Sequence, residues 1–266
     1  MDLGLKGKTA VITGGSKGIG KAIGLALAME GCDVALVARD GPTLRAAAEA
    51  IAKATGRNVI AISADTGDDA AVKRMAVEAK AALGHVDILV NCAAQPGGQG
   101  KPPGLLEITN DHFFADMNVK VLGYLRTARE IAPLMQAQGF GRIINISGLA
   151  ARSTGTIIGS MRNVSVAALT KNMAEELAGS GITVTCVHPG LTRTEKTPGV
   201  VQRQAAAQGV SEAEITRRMD AGNLTGKLIT AEDVAFIVAM LASPKSVAIN
   251  GDVIAAGGGV KGSIHY

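Results

Sequence analysis

Residues 13–20 read TGGSKGIG, directly after the apolar run TAVIT at 9–13 and at the start of a helical pattern. Glycine is required where a chain turns sharply and where backbone approaches a phosphate with no Cβ between them. The helix that follows offers unpaired N–H groups and a partial positive charge to the same anion. Gly14, Gly18 and Gly20 are spaced G-x-x-x-G-x-G, with Ser16, Lys17 and Ile19 filling the loop. A rival reading takes Gly15 to Ala22 (GSKGIGKA) as the phosphate loop of a nucleoside triphosphatase. That loop needs Ser or Thr after its Lys to hold Mg²⁺, and here the residue is Ala22.

The pattern on either side favours a dinucleotide site. Runs at 9–13, 33–38, 59–64, 86–91, 142–147, 182–188 and 252–256 read as strands, and most are apolar throughout. Strands covered on both faces look like this, as in parallel sheets. Helical stretches lie between them, at about 41–55, 69–83, 119–138, 160–179 and 231–242. The first helix has Ile19, Ile23 and Leu27 along one stripe and Gly31 placed to end it. Alternating strands and helices imply an α/β fold, a Rossmann-type doubly wound parallel sheet of about seven strands with helices on both faces. One domain spanning 1–266 is expected. The segment at about 192–228 is more polar and carries Arg193, Lys196, Arg203, Arg217, Arg218 and Lys227. It follows a strand's C-terminal end, where open α/β sheets bind ligands, and reads as a helical substrate flap. The alternative is a solvated basic insertion.

Composition narrows the partners. Aromatic residues make up 2% of the 266, with no Trp, which leaves no stacking platform for nucleic acid. A net charge of +4 without any dense basic block gives no reason to expect a nucleic-acid or membrane partner. Cys32, Cys92 and Cys186 have no motif spacing and suit reduced thiols. No signal-peptide pattern follows Met1 and no apolar run spans a bilayer, so a cytoplasmic protein binding a small-molecule substrate, without a metal, is expected.

Further motifs follow in order: Asn91-Cys92-Ala93-Ala94 after the fourth strand, Asn118 in NVKVLG, Ser147 in NIS, His188-Pro189-Gly190 with Thr192 and Thr194, then Asn250-Gly251 and Gly258-Gly259. With the T-G-x-x-x-G-x-G loop, this ordered set resembles the short-chain dehydrogenases/reductases over nearly the whole chain. The resemblance implies hydride transfer with a nicotinamide dinucleotide. It puts Gly14, Ser16, Lys17, Gly18, Ile19, Gly20, Asn91 and Ala93 against the cofactor, Asp65 on its adenine side, and Pro189, Gly190 and Thr192 on its nicotinamide side. It makes Ser147 the residue that orients the substrate oxygen and Asn118 the family's helix-borne active-site Asn. It also implies a homodimer or homotetramer built through long helices.

The second strand ends in Ala38-Arg39, where an acidic residue would favour NAD. Arg39 and Lys17 suit a 2′-phosphate, so NADP(H) is expected in preference to NAD(H). Asp40, one residue on, works against this, and two solvated cations are the alternative.

The family's proton chemistry uses a Tyr with a Lys four residues later. Here Tyr occurs only at 124 and 266, and no Lys lies between Lys120 and Lys171. Anchoring on Ala168-Leu169-Thr170-Lys171 puts Gly159 at the Tyr position and Asn163 at the Lys position. Asn163 can bond a ribose hydroxyl but carries no charge to lower a neighbour's pKa. Arg162 is a candidate for stabilising an oxyanion, or else a structural cation. His188 and Tyr124 read as structural, and Tyr266 as a remote candidate from a neighbouring subunit. General acid–base help is worth about 10²–10⁴-fold, so hydride transfer can survive its loss. The expectation is an NADP(H)-dependent oxidoreductase with a non-standard proton donor, acting on a carbonyl or activated C=C of a small substrate, anionic or an acyl thioester. The alternative is a non-catalytic NADP(H)-binding partner or sensor.

Overall fold

A computed structural model describes residues 2–95, 102–259 and 261. In chain order the elements are β1 Thr9–Thr13, α1 Gly18–Met29, β2 Asp33–Ala38, α2 Gly41–Thr55, β3 Val59–Ser63, α3 Asp69–Leu83, β4 Ile88–Asn91 and α4 Asn110–Met117. They continue with a π turn at Asn118–Leu122, α5 Gly123–Gln138, β5 Gly141–Ile146, a short 3₁₀ turn at Leu149–Ala151, α6 Ile157–Glu176, β6 Ile182–Pro189 and β7 Thr192–Arg193. The last are α7 Thr197–Gln208, α8 Glu212–Asp220, β8 Ile229–Thr230, α9 Ala231–Ala242 and β9 Val253–Ala256.

Seven strands form one parallel sheet in the order β3-β2-β1-β4-β5-β6-β9. Its central strands β1, β2, β4, β5 and β6 are largely buried because helices cover both faces, while the edge strands β3 and β9 are mostly half-buried. One core packs α1, α2 and α9 through Ile23, Leu27, Leu44, Ile51, Val234 and Val238. The other packs α3, α5 and α6 through Val72, Met75, Ile131, Met135 and Met173. This is the doubly wound sheet expected from the apolar runs. The chain moves outward from β1 in both directions, so β1 and β4 flank the switch point at which such sheets bind ligands.

Short polar side chains set the helix boundaries. Asp40 caps α2 by accepting from the Thr43 amide at 3.3 Å, and Asp68 caps α3 through the Ala71 amide at 2.6 Å. Thr156 caps α6 through the Gly159 amide at 3.1 Å, so this helix begins three residues before the expected Ser160.

Two elements depart from the sequence reading. Residues 110–117 form a helix that buries none of its residues and so has no apolar stripe to announce it. The π turn then widens the chain between α4 and α5, at the start of what reads as one regular helix from 119. The Asn118 carbonyl accepts instead from Arg126 Nη1 at 3.1 Å.

The segment at 192–228 contains α7 and α8, joined by a small cluster of Val201, Ala205 and Ile215. No helix among the described residues is long and apolar enough to cross a membrane. Tyr266 lies outside the described residues.

Candidate active site

A cleft of about 850 Å³ opens at the C-terminal ends of β1 and β4. The glycine loop forms one wall. Gly14 has φ +70°, and a Cβ there would lie 2.8 Å from the Cys92 carbonyl oxygen. A Cβ on Gly20 would lie 2.3 Å from the Gly14 carbonyl oxygen. The loop is therefore closed to side chains, and its backbone faces the cleft. Thr13 Oγ1 ties it to the end of β4, accepting from the amides of Cys92 at 3.0 Å and Ala93 at 3.2 Å.

The Gly18 amide at the start of α1 is already engaged. It donates to the Glu195 carboxylate, at 3.1 and 3.2 Å from the two oxygens. Glu195 sits 177 residues away in sequence, just past β7, and no local pattern marks it.

Five cationic side chains line the cleft, Lys17, Arg39, Lys120, Arg162 and Lys196, against three acidic ones, Asp40, Asp65 and Glu195. The Asp40 carboxyl takes both Thr43 donors, which hold it below the usual carboxylate range, and Lys17 adds to this. Asp40 is thus held as an ionised cap of α2, next to Arg39 at the end of β2, and both line the cleft. Asp65 accepts from the Gly67 amide at 2.8 Å.

The cleft brings together most of the residues singled out in the sequence. Gly14, Ser16, Lys17, Gly18, Ile19, Gly20, Arg39, Asp65 and Ala93 line one part. Ser147, Arg162, Asn163, Pro189, Gly190 and Thr192 line the other.

Asn91 and Asn118 do not line it. Asn91 is fully buried, donating to Asn145 Oδ1 at 3.0 Å and accepting from Thr127 Oγ1 at 2.6 Å. Asn145 passes the network on to Thr170 Oγ1 at 2.9 Å. This satisfied network joins β4, β5, α5 and α6 behind the site. Asn118 donates its side-chain amide to the Gly67 carbonyl at 3.1 Å, because the π turn directs the following residues, Val119 and Lys120, into the interior instead.

Lys120 is the residue the sequence reading passed over. It is 4% exposed, and its Nζ donates to the Ser147 carbonyl and to Asn163 Oδ1, each at 3.0 Å. Ser147 Oγ donates to the Asn163 carbonyl at 2.9 Å. Lys120, Ser147 and Asn163 thus form one bonded group from three different elements. The available signal was a single lysine inside the apolar run Val119-Lys120-Val121-Leu122. Arg162 is ion-paired with Asp116 of α4, and its buried Nε has no protein partner among the described residues.

His188 is 1% exposed and accepts from the Gly148 amide through Nδ1 at 3.2 Å, in a structural setting. Tyr124 is buried with its hydroxyl donating to the Ile146 carbonyl at 2.8 Å. Of the six cations at 192–228, Arg193 pairs with Asp220, while Arg217 and Arg218 pair with Glu214. Only Lys196 of that set lines the cleft. No cluster of His, Cys, Asp or Glu suited to a metal occurs among the described residues.

Comparison with known proteins places this architecture. A family model described as enoyl-(acyl carrier protein) reductase matches residues 14–261. The NADPH-dependent reductase BacG of Bacillus subtilis is 30% identical over 261 residues, covering 97% of this chain and 99% of that protein. The chloroplastic NADPH-dependent aldehyde reductase 2 of Arabidopsis thaliana is 33% identical, covering 96% and 94%. The crystal structure of L-sorbose reductase from Gluconobacter frateurii, complexed with NADPH and L-sorbose, superposes with a TM-score of 0.93 at 26% identity. It covers 99% of this chain and 100% of its own. By fold, by the family model and by these full-length relatives, the chain belongs to the short-chain dehydrogenase/reductase family.

Proposed function

We propose that the protein is an NADPH-dependent reductase of a small carbonyl compound, working without the family's Tyr-x-x-x-Lys pair. The observation that carries this reading is the cleft itself. A glycine turn packed too tightly against neighbouring backbone to admit a Cβ at Gly14 or Gly20 lines the cleft beside Lys17 and Arg39, and Ser147 stands further along the same cavity. These residues fit the dinucleotide. The N-terminus of α1 would face the pyrophosphate, Lys17 and Arg39 the 2′-phosphate, and Asp65 the adenine side. Pro189, Gly190 and Thr192 would border the nicotinamide. When bound, the cofactor supplies a hydride. NADPH in the names of two relatives and of the sorbose reductase complex supports the choice.

The protein's own contribution is positioning and charge. Ser147 would orient the substrate oxygen, and the Arg162 guanidinium, which lines the same cleft, would meet charge developing on it. Asn163 would hold a ribose hydroxyl. The helices at 192–228 would close over the substrate. Three of their six cations are held in ion pairs and only Lys196 lines the cleft, so a strongly anionic substrate has less support than a neutral carbonyl. Reduction of an activated C=C in an acyl thioester is the second reading, favoured by the description of the matching family model. A homo-oligomer is part of the proposal. Exposed Leu122 and Leu125 near α5, with Ile157, Met161 and Val164 on α6, supply apolar surface for it.

Titration of nicotinamide fluorescence with NADPH and with NADH tests the reading. Micromolar NADPH binding with much weaker NADH binding is expected, followed by turnover on a panel of diketones, aldehydes and enoyl thioesters. Tight binding with no turnover on any of them would mark a non-catalytic cofactor-binding protein. No binding of either would remove the assignment.

A further inference from the structure

Lys120 is a buried cation with no acid bonded to it. Its two protein partners, the Ser147 carbonyl and Asn163 Oδ1, are neutral. The nearby Asp116 carboxylate is held by Arg162. An ammonium has three N–H donors, and two are used here. Lys120 also lines the cleft, beside Ser147. A methionine could fill the same volume without the desolvation penalty of a charge, so packing gives no reason for a lysine.

The other groups around Ser147 are poor sources of a proton. Tyr124 is fully engaged, and burial pushes its hydroxyl far above the ordinary range. Burial raises the Cys92 and Cys186 thiols to about 11. Arg162 is held in an ion pair with Asp116. Ser147 spends its own hydroxyl hydrogen on Asn163.

We infer that Lys120 is the general acid of this site, protonating the reduced substrate through the N–H that Ser147 and Asn163 leave free. The inference rests on reading the cleft as a reductase site. The substrate carbonyl carbon accepts two electrons as the hydride supplied by a reduced nicotinamide. The substrate oxygen takes a proton from Nζ, so one O–H bond forms as one N–H bond breaks. Lys120 is left as a neutral amine and is reprotonated by solvent water. The local field fits that role. Burial, then Arg162, pulls the Lys120 ammonium from 10.5 down to about 8, against an opposing pull from Asp116. Cys92 and Cys186 would also oppose the shift if ionised, but both are neutral thiols at that pH. A general acid works best when its pKa lies near the operating pH.

Three measurements test this on the full chain, using wild type, Lys120→Met and Lys120→Arg. The first is an NMR titration of ¹³Cε-labelled lysines without cofactor. One signal, absent from both variants, should titrate near 8 while exposed lysines titrate at about 10.4. A midpoint at 10 or above would overturn the inference whatever the activity. The second is NADPH affinity, expected to stay within about threefold, since ground-state cofactor binding does not need the proton. The third is kcat against pH for reduction of 9,10-phenanthrenequinone and crotonyl thioesters. Wild-type kcat should fall as pH rises through about 8, and both variants should lose about 10²–10⁴-fold in kcat. Lys120→Arg keeps the charge but not the labile proton, so full activity in it would sink the inference, even if Lys120→Met failed to fold. An active wild type matched by its variants overturns the role of Lys120 alone. A wild type that binds NADPH and reduces nothing overturns the reductase reading, and this inference with it.

Discussion

Lys120 Nζ lies 3.0 Å from Asn163 Oδ1, joining the π turn after α4 to the cleft side of α6 through a single buried hydrogen bond. The pairing has a thermodynamic signature. The folded-state pKa of Lys120, about 8, lies below its ordinary 10.5. Between these values the unfolded chain holds the proton and the folded chain does not, so this group's contribution to stability rises with pH. Below about 8 both states are protonated and the penalty is constant. At 1.36 kcal/mol per unit the penalty amounts to about 3 kcal/mol. Lys120→Met should therefore gain stability relative to wild type at pH 7 by more than it does at pH 9.5. Urea unfolding of both proteins at the two pH values measures the difference. An equal gap at both would show that Lys120 does not titrate in this window.

Glu195 occupies the Gly18 amide, the same helix-terminal donor that a pyrophosphate would use. Removing the negative charge should weaken the competition for that donor. Helix-terminus charge interactions are worth about 0.3–1 kcal/mol, so Glu195→Gln should tighten NADPH binding by roughly two- to fivefold. Fluorescence titration reads the change. Weaker binding in the variant would mean that Glu195 helps hold the cofactor rather than standing in its place.

Arg39 and Lys17 are proposed to meet the 2′-phosphate, the one group that separates NADPH from NADH. A charge-assisted hydrogen bond contributes about 1.5–3 kcal/mol. Arg39→Ala should weaken NADPH by roughly 10- to 100-fold and leave NADH nearly unchanged. Equal losses for both dinucleotides would place Arg39 elsewhere on the cofactor.

The Asn91–Asn145–Thr170 network is buried and satisfied. Asn145→Ala leaves the Asn91 amide without its acceptor and Thr170 without its donor. A stranded buried polar group costs about 1–3 kcal/mol, and the Asn91 amide is the one created here, since the Thr170 hydroxyl keeps its bond to the Val166 carbonyl. A loss of about 1–3 kcal/mol is expected in urea unfolding. A much smaller loss would indicate that the neighbouring side chains find new partners.

The strands were readable because burial on both faces makes them apolar throughout, and six of the seven expected runs lie within one residue of the observed ends. The glycine loop was readable because steric exclusion leaves a mark in residue type. What was hidden has physical causes. α4 buries nothing, so periodicity cannot reveal it. The position of Asn118 depended on a π turn, whose extra residue per turn is not written in composition. Lys120 was passed over because burial of a cation depends on what covers it, which the sequence does not show. Glu195 meets Gly18 across 177 residues, a contact that belongs to tertiary structure alone. Arg162 was even between a structural and a functional cation, and its geometry has both parts, one edge paired and one donor unpartnered.

The π turn at Asn118–Leu122 also separates two jobs within what would otherwise be a single rod. In a continuous α-helix each inserted or deleted residue rotates everything beyond it by about 100°. A wide turn absorbs that phase change locally. Downstream, α5 must keep Ile131 and Met135 against the sheet, while upstream α4 packs little and exposes Phe114. The turn takes up that rotation at one place, so α5 keeps its apolar face on the sheet without fixing the direction in which α4 presents its own.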